Sequence, residues 1–368
     1  MGDYSINDKT GIGEAFPGKI AVVTDHLSVN EDDYYSADRL ITKYGKEKII
    51  HATWPLNFMV EKEQMINTVA ALGADKDVKA IIFNQAVEGS NAAVDKLKEN
   101  RDDVFIVYSN TNEAPFSSTV RANLVLSLNE LGMGSAMVKQ ARKQEAKVFV
   151  HYSFPRHMAV PMLKNRRDLI RQECVRGDIQ FIDVMVPDPV GEAGFEEAEK
   201  FILRDVKETV AKYGDNTAFF CTNCNLQAPL IRAVVTNHAI LPQTCCPSPF
   251  HGFPEALGIE ASGGQADLNY VISEASSIVA EKNMTDRLST WPVSAGMMFA
   301  NASAEYAIKW INGEVPKNGI DSYTLAEAMN NYVEDVIGES SSVYISSYSD
   351  EGKTYDNYKL VLMSYLDF

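Results

Sequence analysis

The chain is poor in positive charge. Of its 368 residues, 34 are Lys or Arg and 50 are Asp or Glu, a formal net charge of −16 at pH 7. That sign opposes polyanions such as nucleic acid, and an anionic bilayer, as partners. The basic residues are scattered, and the tightest pair, Arg166-Arg167, is expected on the solvated side of a helix. Long hydrophobic runs are missing as well: no apolar stretch approaches the about 20 residues that span a bilayer. Cysteine is scarce, with five residues at 174, 221, 224, 245 and 246. An odd, clustered handful is not a disulfide framework for a chain of this size. Catalytic signatures are also lacking. There is no Walker loop, no G-x-S-x-G elbow and no H-E-x-x-H pair. Gly11-Ile-Gly13 precedes the first strand instead of following it, so it is no dinucleotide fingerprint.

What the chain does have is a repeated beat. Short β-branched runs end in small polar residues and alternate with amphipathic helices. The runs are Lys19–Thr24, Lys48–Thr53, Ala80–Asn84, Val104–Ser109, Lys147–Ser153, Gln180–Val186 and Thr217–Thr222. Nearly continuous apolar strands between helices indicate parallel sheet covered on both faces. Helices are expected at Glu31–Tyr44, Lys62–Ala74, Asn91–Glu99, Leu131–Gln144, Pro161–Arg176, Glu192–Tyr213, Leu226–Asn237, Leu268–Glu281 and Ala295–Asn312. Met65, Val69 and Leu72 illustrate the i, i+4, i+7 stripe of a core-facing helix. Gly132-Met133-Gly134 and Met297-Met298-Phe299 read as packing groups. Gly252–Gly264 reads as a Gly-rich loop with a short helical piece. Val343–Ser347 and Tyr358–Met363 alternate with period two around Ser349-Asp350-Glu351-Gly352, the pattern of a terminal β-hairpin.

The fold class is therefore α/β, with two doubly wound parallel-sheet lobes. Residues 1–17 are read as a tether. Residues 18–127 plus about 290–316 form the first lobe, and 128–289 plus about 317–368 the second. An interlobe cleft is expected, because such sheets bind ligands at the carboxyl ends of their strands.

Three stretches resemble a known family. Ala80–Gln85 (AIIFNQ) with Val104–Ser109 (VFIVYS) is similar to the third and fourth strands of the type I periplasmic binding proteins. That superfamily includes ribose-type sugar receptors and the effector domains of Lac-type repressors. Leu124–Asn129 (LVLSLN), a Gly-containing helix and Lys147–Tyr152 (KVFVHY) resemble its first interlobe crossing. Thr217–Ala233 (TAFFCTNCNLQAPLIRA) resembles the strand-Asn-Asp-helix segment of its second lobe, with Cys224 in place of the common Asp. The usual Arg of the second lobe falls near Leu163, between Arg156 and Arg166. The similarity spans roughly residues 18–315. It looks closest to an uncharacterised group of bacterial predicted lipoproteins. It implies a two-lobe solute receptor that is extracytoplasmic and lipid-anchored, by a leader outside this chain.

Strand-end polar residues are the candidate ligand contacts. They are Asp25, His26, Trp54, Asn84, Gln85, Ser109, Asn110, Ser153, Arg156, Asn223 and Asn225. Amides donate and accept, which suits hydroxyl-rich ligands. Trp54 offers a face for stacking, and Arg156 a fork for a carboxylate or phosphate. The same residue types also serve as caps and turns. Asp25-His26 reads better as a cap beside a surface histidine than as a catalytic pair.

Cys221-Thr-Asn-Cys224 lies at a strand-to-helix turn, and Cys245-Cys246 and His251 follow about 20 residues later, a spacing loosely suggestive of zinc. Cys221 sits in an apolar strand and is expected to point inward. A lone C-x-x-C does not define a metal site, so the reading is of buried thiols or one disulfide, with no metal and no cofactor.

The expected function is a non-enzymatic solute-binding protein. It closes on a small polar ligand of the sugar, nucleoside or amino-acid class and serves a membrane transporter or sensor. Two alternatives stand beside it. One is the effector domain of a transcriptional regulator, although the 17 residues before Gly18 are too few for a helix-turn-helix module. The other is an enzyme using the Cys/His group as a metal site.

Overall fold

A computed structural model describes residues 15–260, 268–338 and 341–368. The chain divides into two compact units. One takes the chain through Leu128 and again Ala295–Val361; the other takes Asn129–Ser294 and Leu362–Phe368. Among the described residues the strands are β1 (Lys19–Thr24), β2 (Ile49–Thr53), β3 (Val78–Phe83), β4 (Phe105–Ser109), β5 (Leu124–Leu128) and β6 (Val148–Ser153). They continue with β7 (Gln180–Met185), β8 (Thr217–Cys221), β9 (Ser289–Thr290), β10 (Val343–Asp350), β11 (Lys353–Met363) and β12 (Leu366–Asp367).

The sheet of the first unit has the order β10-β11-β5-β4-β3-β1-β2. Its pairings from β2 to β5, and that of β11 with β5, are parallel. The second unit repeats the plan. Its sheet runs β7-β6-β8 in parallel, and parallel bridges at Ala218–Ile240 and Leu241–Leu288 carry it outward. Antiparallel β9 and β12 follow from Leu288. Each unit thus has the doubly wound order 2-1-3-4-5, in which the chain reverses direction beside its first strand.

Burial on both faces makes the strands. In the first unit Ala21, Val23, Ile81, Phe83, Ile106 and Tyr108 share one cluster with Met65, Val69, Val94 and Leu97 of two helices. Their alternating neighbours Ile20, Val22, Ala80 and Ile82 are equally buried on the other face. In the second unit Val148, Val150, Tyr152, Phe219 and Cys221 pack with Ile202 and Val206, whereas Phe149, Ala218 and Phe220 pack with Met137, Ile170 and Cys174. Strands apolar at every position result from this two-sided cover.

Local chemistry sets the helix ends. Asn30 caps Glu31–Tyr44 by accepting from the Asp33 backbone N–H at 3.1 Å, and Glu31, Asp32 and Asp33 fill the first turn. Asn129 caps Glu130–Lys143 in the same way, through the Gly132 N–H at 2.8 Å. β10 and β11 are joined by Glu351-Gly352, both at positive φ, the conformation that a two-residue hairpin turn requires.

Three expectations are corrected. Residues 317–361 do not join the second lobe. The β11 strand pairs in parallel with β5, Tyr358 opposite Val125, and the helix Ser322–Ile337, not foreseen from sequence, packs on Ala295–Asn312. Residues 290–294 stay with the second unit instead of the first. Of the expected tether, 1–14 lie outside the described residues, but Phe16 is buried. Its ring meets Tyr44 edge-on at 6.1 Å and lies under the Lys48 ammonium, which also donates to the Phe16 carbonyl at 2.8 Å. Of the expected Gly-rich loop, residues 261–267 lie outside the described residues, and the foreseen helical piece is Phe253–Leu257. No helix among the described residues is long and apolar enough to cross a membrane.

Truncating Phe16 removes a ring from a nearly closed site. We expect Phe16→Ala to destabilise the first unit by about 2–4 kcal/mol in urea denaturation. An unchanged midpoint would mean that the segment before β1 is as loose as its composition suggests.

Candidate functional site

The reversal point of the first unit lies between β1 and β3, where Asp25 follows one strand and Asn84 the other. These two residues are tied together by Asp33, in the first turn of the helix Glu31–Tyr44. The Asp25 backbone N–H donates to Asp33 Oδ2 at 2.6 Å. The Asn84 amide donates to Asp33 Oδ1, to Ser36 Oγ at 3.2 Å and to the Gly296 carbonyl at 3.1 Å. Asp33, Ser36 and Asn84 are all buried. Burial pushes the Asp33 carboxyl up to about 7, against the donations from Asp25 and Asn84. Burial also raises Asp25, the half-buried member of the group.

The other candidates of this unit separate into occupied and available. The expected stacking platform is corrected: Trp54 is 2% exposed, lies parallel to Phe83 with centroids 5.5 Å apart, and donates its indole N–H to the Gln85 carbonyl at 2.7 Å. Its apolar face is already used by the core. The Gln85 amide donates to the Asn110 carbonyl at 2.8 Å. Ser109 is buried, with a hydroxyl that finds no partner among the described residues. Asn110 is half-buried at φ 46° and donates its backbone N–H to Leu126 at 2.8 Å. His26 is exposed, its Nδ1 2.9 Å from Ser28 Oγ in a local turn, and the helix cap is Asn30 instead of Asp25.

In the second unit the reversal point lies between β6 and β8. Ser153 is buried there, its hydroxyl 3.8 Å from Met185 Sδ. His157 Nδ1 lies 2.9 Å from Thr222 Oγ1 and so links the two exits. The Arg156 fork is not open as expected. Asp188 accepts from its Nε at 2.8 Å and its Nη2 at 2.9 Å, on an exposed surface. Asn223 caps a short 3₁₀ turn, Cys224–Leu226, by accepting from the Asn225 N–H at 2.9 Å. Asn225 itself is exposed. Arg166 corrects the solvated-helix reading of Arg166-Arg167. It is buried, paired with Glu130, and its guanidinium lies 5.3 Å from the Phe220 ring centroid. Burial raises the Glu130 carboxyl against the pull of Arg166.

The cysteines fall into two kinds. Cys174 and Cys221 are buried among apolar side chains, and burial pushes each thiol up to about 12. Cys221 shares an apolar cluster with Phe219, Tyr152 and Leu230 and is not one of the converging donors. Cys224, Cys245, Cys246 and His251 converge, with one donor atom from each within 4.8 Å of all the others. Cys224 Sγ is 3.2 Å from Cys245 Sγ and 3.5 Å from Cys246 Sγ; Cys245 Sγ is 3.3 Å from His251 Nε2. Hydrogen bonds from Cys245 and Cys246 hold Cys224 well below the usual thiol range, while burial raises Cys245. Gln227, fully buried, braces the group. Its amide donates to the carbonyls of Cys221 and Asn223 at 3.2 and 2.7 Å, and its oxygen accepts from the Cys245 N–H at 3.2 Å. Asp33 and Gln227 were both missed from sequence. The weak signals were an acid at a helix start and a Gln at the foot of an apolar helix.

Two units of this plan define the class: the fold is that of the type I periplasmic binding proteins. A crystal structure of a proposed transcriptional regulator from Clostridium difficile 630 superposes with a TM-score of 0.85 at 21% identity, covering 96% of this chain and all of that one. A periplasmic ribose ABC transporter protein from Conexibacter woesei gives 0.52 at 11% identity, covering 83% and 90%. An ABC transporter solute-binding protein from Actinobacillus succinogenes with bound D-allose gives 0.51 at 15% identity, covering 83% and 94%. The chain belongs to the family of proteins of unknown function DUF3798, whose family model matches residues 18–289. An uncharacterised protein of Treponema pallidum is 35% identical over 165 residues, which is 45% of this chain and 76% of that protein. A second from the same organism is 28% identical over 178 residues, 47% and 80%.

The buried Asp33 carboxyl makes stability depend on pH. Its folded value near 7 exceeds the ordinary 3.8, so the folded state holds a proton that the unfolded chain has lost. The contribution is full below about pH 4 and disappears as pH rises through 7. Relative to Asp33→Asn, the wild type should lose up to about 1.4 kcal/mol per pH unit between pH 4 and 7 and level off above 8. Unfolding followed by circular dichroism across that range checks this; a gap independent of pH rejects it.

Proposed function

We propose that the protein is a non-enzymatic, extracytoplasmic solute-binding protein for a small polar molecule of the sugar, nucleoside or amino-acid class. In this reading it is lipid-anchored at the cell surface and delivers its ligand to a membrane transporter or reports it to a sensor. One observation carries the proposal. Each unit repeats the same strand order, and at each reversal point polar side chains collect at the carboxyl ends of the strands, where doubly wound sheets take their ligands. The likeness to a periplasmic ribose ABC transporter protein and to a solute-binding protein with D-allose bound supports the same class. The groups left for a ligand are those not consumed by the core. They include Asp25 and Asn110 in the first unit, and Asn225 and the amide nitrogen of Asn223 in the second. Amides and a carboxylate suit hydroxyl-rich ligands better than apolar ones. The excess of acidic residues opposes nucleic acid as a partner, which weighs against the regulator alternative.

The test is a thermal-shift panel of pentoses, hexoses, inositols, nucleosides and amino acids. A true ligand at 100 times its Kd adds about 2.7 kcal/mol and raises Tm by several degrees. Asp25→Ala and Asn110→Gly, both in the first unit, should each weaken a ligand held there at least about tenfold by calorimetry, roughly the value of one or two hydrogen bonds. No shift with any class, or binding indifferent to both substitutions, overturns the proposal.

A further inference from the structure

We propose that Cys224, Cys245, Cys246 and His251 form a binding site for one zinc-class divalent ion, held in a tetrahedral Cys3His set. The inference stands apart from the solute-binding reading and concerns the second unit alone.

The donors have the right number, type and spacing. With Zn–S near 2.3 Å and Zn–N near 2.0–2.1 Å, a tetrahedron places sulfurs about 3.8 Å apart and sulfur and nitrogen about 3.5 Å apart. Three of the separations, 3.2, 3.5 and 3.3 Å, are close to those values, and all four donors fit within 4.8 Å. A disulfide accounts for the group less well. It would join two sulfurs and leave a third thiol and an imidazole gathered around it for no reason. Three thiols and an imidazole are the soft and borderline donors that select zinc over magnesium or calcium. Binding exchanges the thiol protons, released to solvent, for bonds to the ion.

The donors are also held in place before any ion arrives. Cys224 lies in the turn after β8, and the other three lie in a loop twenty residues on. Gln227 bridges the two segments through the Cys221, Asn223 and Cys245 backbones. Thr244 Oγ1 donates to the Cys246 carbonyl at 3.1 Å. Next to His251, Gly252 adopts φ +82°, and a Cβ there would lie 2.9 Å from Gln227 Cβ and 3.1 Å from the Ala228 nitrogen. The loop therefore sits against the helix Gln227–Thr236 in a form that only glycine allows. Cys224 and Cys246 remain exposed, so an ion has a path in. An ion here staples the loop to the β8 exit and fixes the turn that carries Asn223 and Asn225.

The experiment is a Co²⁺ titration of the full chain, stripped of metal and kept reduced without oxygen. One equivalent should produce a thiolate-to-cobalt charge-transfer band and the intense visible bands of a tetrahedral site, and one equivalent of Zn²⁺ should bleach them. Cys224→Ser should weaken binding at least about tenfold. His251→Ala, at a half-buried position, is the second variant should the first fold poorly, and the same loss is expected. Cys174→Ala should leave stoichiometry and spectrum unchanged. Absence of the bands overturns the proposal, as does a spectrum that survives both ligand substitutions.

Discussion

Parallel pairing between strands buried on both faces is the constraint on which the rest of each unit depends. A parallel ladder sends every strand in the same direction, so all carboxyl ends in a sheet emerge along one edge. The chain must turn there, and its backbone groups lose their ladder partners there. Polar side chains collect at that edge for this reason first, whatever ligand they later meet. Asn30, Asn129 and Asn223 each spend a side-chain oxygen on a backbone N–H of the following turn.

This local demand divides the polar edge into two sets. Asn84 and Asp33 bind β1, β3 and the helix Ala295–Asn312 together, and the Asn84 amide nitrogen is fully spent in doing so. Trp54 and Gln85 tie the exits of β2, β3 and β4 in the same way. The Arg156 fork is filled by Asp188. A buried carboxylate such as Asp33 is costly to leave charged, and it is tolerated because several donors surround it and because it can hold a proton near neutrality. Rigid supports of this kind keep the few free groups in place.

Local elements were legible in the sequence. The helices Glu31–Tyr44, Lys62–Ala74, Pro161–Arg176, Leu268–Glu281 and Ala295–Asn312 fall where the apolar stripes and caps put them. Their signals lie within one or two turns of chain. The helix Ser322–Ile337 escaped because its polar face is broad and it follows a turn-rich stretch. At the site, residue type was readable but occupancy was not. Trp54 has the same letter whether its face is free or lies on Phe83, and Arg166 the same letter whether solvated or paired with Glu130.

By itself the sequence determined the alternation of strand and helix, the hairpin of β10 and β11, and the two-sided burial that makes each sheet parallel. These follow from periodicity and turn chemistry, which act over a few residues. Only the tertiary structure decided that β11 lies beside β5 and that Cys224 meets Cys245, Cys246 and His251. A free sheet edge accepts any strand of suitable pattern, and a loop closes at nearly the same entropic cost over many lengths. Which distant segments meet is therefore settled by packing and by directed hydrogen bonds such as those of Gln227, and no local pattern encodes it.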